Sequence, residues 1–92
     1  MQTLEFNVTQ KNINEGIQGN PYMCAVAKSI KENFPELEGF INVQHHGCQI
    51  GEEKFYFDEE TEEKIREFDA CKENVKPFHI KTIGVFEKYP LL

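Results

Sequence analysis

Ninety-two residues make one domain, long enough to bury a modest core. Sixteen acidic against ten basic residues give a net charge of −6. That balance disfavours direct binding to nucleic-acid phosphates and makes a basic protein surface the electrostatically favoured partner. No apolar run is long enough to span a membrane. No basic segment followed by an apolar run marks a secretory leader. The three cysteines follow no secreted-domain pattern, so free thiols in a reducing cytoplasm are expected.

Thr3-Leu4-Glu5-Phe6-Asn7-Val8 alternates polar and apolar residues, which predicts a half-buried strand with Leu4, Phe6 and Val8 inward. Thr9 can cap a short helix through Glu15, with Ile13 and Ile17 on one side, and Gly16 and Gly19 let the chain leave it. The main helix is expected over Asn20–Phe34. Asn20 is a good N-cap, Pro21 suits the first helical position, and Met23, Val26, Ala27, Ile30 and Phe34 form one stripe. Pro35 ends it. Cys24 lies beside the stripe and reads as a small buried hydrophobe.

A loop then leads to three short apolar runs: Phe40–Val43, Cys48–Ile50 and Lys54–Phe57. Gly47 and Gly51-Glu52-Glu53 mark turns between them, and such close spacing predicts an antiparallel meander. Tyr56 should point outward, between inward Phe55 and Phe57. Asp58 caps a second main helix, Glu59 to about Cys71, with Ile65 and Phe68 on its apolar face. Asp69 is out of place near the end of that helix, where the dipole disfavours an acid; bonds from the backbone of Lys72 to Asn74 would explain it. Pro77 opens a last strand that ends at Ile83, with Phe78 and Ile80 inward. The fold expected is α+β: a mostly antiparallel sheet of four or five strands, with two main helices and one short helix on one face. Residues 1–83 form the domain. The tail 84–92 is unusually apolar, with Val85, Phe86, Tyr89, Leu91 and Leu92. It is expected to pack on the domain or on a partner, a homodimer through the tail included.

Three sets of side chains are candidates for function. Glu52, Glu53, Glu59, Glu60, Glu62 and Glu63, with Tyr56, could form an acidic docking surface, although glutamates at a helix start are also favoured by the dipole alone. His45, His46 and Cys48 are suitable donors for zinc or copper, but neighbouring strand residues face opposite ways, and a fourth ligand, His79 or Cys71, would have to come from elsewhere. The tail is the third. No catalytic set and no phosphate loop is evident, so an enzyme is not expected and no cofactor is implied.

The order Val8-Thr9-Gln10-Lys11-Asn12-Ile13-x-x-Gly16, then Cys24-Ala25-Val26-Ala27, then Ile65-Arg66-Glu67-Phe68-Asp69, then Pro77-Phe78-His79-Ile80 resembles a family of small bacteriophage and bacterial proteins. The family pattern runs V-T-x-x-H-I-x-x-G, C-P-I-A-x-A, I-R-x-F-D and P-F-x-F. The match covers residues 6 to 81. Asn12 stands in place of His, Ala25 in place of Pro, and Cys71 where a Gly often follows. These are cap and core positions, so the resemblance implies a shared fold and a phage or mobile-element context, and it carries over no activity. Together with the charge and size it suggests a non-enzymatic factor in the host cytoplasm that binds a host protein with a basic surface. Its concrete form would be an anti-CRISPR-like inhibitor of a host defence complex, acting by steric and electrostatic blocking. The alternatives are a metal- or small-ligand-binding protein using the His-His-x-Cys turn and a structural homo-oligomer.

Overall fold

The computed structural model describes residues 3–36 and 41–83; the tail and Phe40 lie outside the described residues. The chain runs β1 (Glu5–Val8), α1 (Gln10–Glu15), α2 (Ala25–Asn33), β2 (Ile41–Gln44), β3 (Gly47–Ile50), β4 (Glu53–Tyr56), α3 (Glu59–Ala70), a 3₁₀ turn (Lys72–Asn74) and β5 (Phe78–Lys81). It is an α+β fold with antiparallel strands, as the alternation of residues implied. The strands do not make one sheet, however. The expected meander β2-β3-β4 is one sheet, and β1 and β5 pair as a separate two-stranded ribbon.

The ribbon joins the two ends of the domain. Phe6 lies opposite Ile80, and Asn7 opposite His79. Beyond the ladder the backbone N–H of Thr82 donates to the Leu4 carbonyl at 2.9 Å. The Thr82 hydroxyl accepts from Leu4 N–H at 2.8 Å, so a buried threonine completes the pairing. The ribbon meets the meander where Ile83 N–H donates to the Tyr56 carbonyl at 2.9 Å.

Thr9 caps α1 as expected, and it does so reciprocally. Asn12 N–H donates to the Thr9 hydroxyl at 3.2 Å, and Thr9 N–H to Asn12 Oδ1 at 2.9 Å. The side-chain amide of Asn12, fully buried, then reaches Glu32 on α2 at 2.9 Å. Asp58 caps α3 by accepting from Thr61 N–H at 2.9 Å.

The main helix departs from its expected start. Asn20 does accept from the N–H groups of Tyr22 and Met23, at 3.0 and 3.1 Å, but it caps only one turn. Two bonds pull that turn out of line: Ile17 N–H donates to the Met23 carbonyl, and Val43 N–H to the Pro21 carbonyl. The helix proper begins at Ala25, with Cys24 as an N-cap that forms no side-chain capping bond. In consequence Met23, expected inside, is 40% exposed, and Ile17 is 46% exposed.

The core otherwise follows the pattern. Leu4, Phe6, Val8, Val26, Ile30, Ile41, Val43, Ile50, Phe55, Phe57, Ile65, Phe68 and Ile80 are buried together, and Phe34 and Phe78 pack on their edge. Phe34 meets Phe6 edge-on, ring centroids 5.8 Å apart. Val75, after the 3₁₀ turn, is also buried. Helix α2 packs on α1, β1 and β2, so its first turn stands beside the meander. Further along α2, Ser29 ties the helix to β1, its hydroxyl donating to the Asn7 carbonyl at 2.7 Å.

Candidate functional site

The acidic residues do not form one surface. Glu52 and Glu53 sit at one end of β4, and Glu59 to Glu63 begin after its other end. Five residues of extended chain separate Glu53 from Glu59, roughly 20 Å at strand spacing. That is more than twice the screening length of about 8 Å at physiological salt, so the two groups act independently. Within the second group Glu59, Glu60 and Glu63 are exposed. Glu62 is drawn back by Arg66, one helical turn on, at 3.3 Å. Tyr56 is half-buried and lies between Phe55 and Phe57, which both face the core.

The His-His-x-Cys donors diverge. His45 and His46 are themselves the two-residue turn of the β2–β3 hairpin, flanked by the pair Gln44 and Gly47, so Gly47 opens the strand and is not the turn. Cys48 pairs with Val43 and points into the core, fully buried. Burial pushes its thiol up to about 12, with Cys24 nearby adding to the shift. The His46 carbonyl accepts from Phe57 N–H. His79 stands on the ribbon between Asn7 and Glu5, at 2.7 and 2.8 Å, and Cys71 donates to Glu73. Among the described residues no group of three His, Cys, Asp or Glu side chains could hold a metal ion. The strand alternation that buries Cys48 is what breaks up the set.

His45 has a different partner. Its Nε2 lies 2.9 Å from Asp69 Oδ2. The other carboxylate oxygen accepts from Gly19 N–H at 2.9 Å, and Gln18 Nε2 donates to the Asp69 carbonyl at 3.2 Å. Asp69 is therefore held by the 16–19 loop and the hairpin turn, and not by the backbone of Lys72 to Asn74. Gly19 makes this possible with φ +72°, a conformation glycine adopts freely.

These residues surround a cavity of about 140 Å³, lined by Gly19, Asn20, Pro21, Cys24, Val43, Gln44, His45, Ile65 and Asp69. Cys24 is 4% exposed. Its thiol is raised from the ordinary value mainly by burial, and the Asp69 charge adds to this. The N–H groups of Ala27 and Val26, at the start of α2, pull the other way. His45 and Asp69 stand at the rim, their side chains 45% and 26% exposed. Cys24, His45 and Asp69 thus line one small space, with Cys24 at the start of α2. Cys24, His45 and Asp69 come from the start of α2, the β2–β3 turn and the end of α3. No local spacing links them, and the misplaced acid at Asp69 was their one signal in the sequence.

Compared with protein families, with curated proteins and with solved structures, the chain finds no match in any of the three.

Proposed function

We propose that this chain is a small, acidic, non-enzymatic protein-binding factor that docks the first turns of α3 on a basic protein surface. The observation that carries the reading is a fixed row of carboxylates. Glu59, Glu60 and Glu63 are exposed and have no ion-pair partner among the described residues. Asp58 pins the helix start beneath them. Unpaired charges on a rigid element lose little entropy on binding, and they steer a cationic partner from a distance. Glu52 and Glu53 form a second contact at the far end of β4.

A protein groove that normally holds nucleic acid presents the matching array of Lys and Arg. An inhibitor of a host defence complex, anti-CRISPR-like and acting in a host cytoplasm, fits that chemistry, the size of the chain and the phage-type sequence pattern. Among the described residues no helix is long and apolar enough to cross a membrane. The test is affinity capture from bacterial lysate with the native chain and with a Glu59→Gln, Glu60→Gln, Glu63→Gln variant. The reading requires a nucleic-acid-binding protein that the native chain retains, the variant loses and a DNA or RNA oligonucleotide displaces. Equal capture by both chains overturns it.

A further inference from the structure

The cavity beside α2 has chemistry that an acidic docking surface does not use. We propose that Cys24, His45 and Asp69 form a thiol–imidazole–carboxylate site, in which Cys24 takes up a small uncharged acyl group from an activated ester. The cavity has the volume of one that admits a benzene-sized molecule, enough for a short acyl chain. Pro21, Val43 and Ile65 give it an apolar wall, and the Asp69 carboxylate at its rim repels an anionic substrate.

Each group has a role set by its position. Burial keeps Cys24 in the thiol form near neutral pH, so it is inert unless a base removes its proton. His45 supplies that base. The Asp69 carboxylate lies 2.9 Å from Nε2 and orients the ring, so Nδ1 is the nitrogen left for the thiol proton. Nδ1 has no hydrogen-bond partner among the described residues. Asp69 is a positioning residue, itself held by Gly19 N–H. Cys24 stands at the N-cap of a nine-residue helix, whose first N–H groups favour negative charge developing beside the sulfur.

The step balances without a redox partner. The thiol proton passes to His45 as the sulfur bonds to the carbonyl carbon, and the carbonyl electron pair moves to oxygen. The pair returns as the carbon–oxygen bond to the alcohol breaks. The departing alkoxide takes the proton from His45, leaving a Cys24 thioester, a free alcohol and a neutral imidazole.

p-Nitrophenyl acetate tests this on the full chain, with nitrophenolate release followed by absorbance and the acetylated cysteine located by peptide mass spectrometry. The more accessible Cys71 serves as an internal reference. Native protein should acetylate Cys24 ahead of Cys71, and denaturant should abolish that preference. His45→Gln should slow Cys24 by about 100-fold and leave Cys71 unchanged. Asp69→Asn should displace the pH profile of Cys24 acetylation without altering that of Cys71. The proposal is overturned if Cys24 stays unmodified in the native chain, if acetylation falls only on Cys71, or if folded His45→Gln protein acetylates Cys24 at the native rate. The native-against-denatured comparison decides the matter even where a variant fails to fold.

Discussion

Gly16 is the position where two kinds of physical reasoning give opposite signs for one substitution. Its φ of −69° and ψ of 150° suit alanine. Considered through the unfolded chain alone, Gly16→Ala should therefore stabilise by about 0.4–1 kcal/mol. The packing says otherwise. A Cβ at Gly16 would lie 2.6 Å from Ala25 N, 2.9 Å from Ala25 Cα and 2.9 Å from the Asn12 carbonyl oxygen. All three are backbone atoms, so no side chain can swing aside. The first belongs to the start of α2, whose position is fixed by the Ile17–Met23 bond and by the Val43–Pro21 bond. Relief requires the end of α1 and the start of α2 to part by most of an ångström. Overpacking of this kind costs about 1–3 kcal/mol, and the rigid backbone places Gly16→Ala in the upper half of that range even after the entropic gain. For a domain of this size about 2 kcal/mol lowers Tm by roughly 8–16 °C. Thermal unfolding followed by far-UV circular dichroism reads it directly. A Tm equal to or above the native value would refute the steric reasoning. Gly19→Ala provides the contrast: nothing lies within 4 Å of its Cβ, but its φ is +72°. It should lose only about 1–2 kcal/mol, from backbone strain alone.

Asn12→Ala removes both the return half of the cap on α1 and the bond to Glu32, leaving the Thr9 N–H unpaired. It should destabilise by about 1–3 kcal/mol in a urea titration, and Asn12→Asp should be no better at neutral pH because its carboxylate would face Glu32; a loss below about 0.5 kcal/mol for Asn12→Ala would show that solvent replaces these bonds. The Thr61 side chain, and then its backbone N–H, hold the Asp58 carboxyl below its usual 3.8. A depressed folded-state pKa contributes stability above 3.8 and loses it as pH falls through the lower, folded value. Asp58→Ala should therefore cost about 0.5–2 kcal/mol near neutral pH, and the gap between the two proteins should narrow below pH 3.8; parallel stability–pH curves would contradict the assignment.

The parts of the fold legible in the sequence were those set by local chemistry. Thr9 and Asp58 cap the helices expected of them, and alternation correctly placed Leu4, Phe6 and Val8 on one face and Phe55 and Phe57 on another. Asn20-Pro21 is also a true helix-start signal, and it does nucleate a turn. A backbone bond from Ile17 to Met23 and a long-range one from Val43 to Pro21 decide that the turn is not continuous with α2. No window of local sequence contains the second of these. The separation of the ribbon from the meander has the same origin. Its pairing of Phe6 with Ile80 joins the ends of the domain, while apolar alternation specifies a face and not a neighbour. The site follows this rule more strictly still. The His-His-x-Cys run was local and misleading, because strand alternation turned Cys48 inward. His45 instead pairs with an acid from another element.

Two residues that break local rules meet at that cavity. Cys24 occupies an N-cap, where Ser, Thr, Asp or Asn would add about 1 kcal/mol by bonding the first N–H groups. Cys24 forms no such bond. Asp69 places a negative charge near the C-terminus of α3, on the wrong end of the dipole. Thr9 and Asp58 follow the N-cap rule at α1 and α3, and acids crowd the start of α3 as the dipole favours. Cys24 and Asp69 thus both leave a local preference unmet beside one space, and such places are where function is sought first. Neither exception improves the helix that bears it. What each one gains lies across the cavity: the thiol stands before the first amides of α2, and the carboxylate orients His45. A purely structural account must explain Cys24 by packing and Asp69 by its bond to Gly19, as two unrelated accidents. The thiol–imidazole–carboxylate reading explains both by one arrangement, and it alone requires His45 to change the chemistry of Cys24.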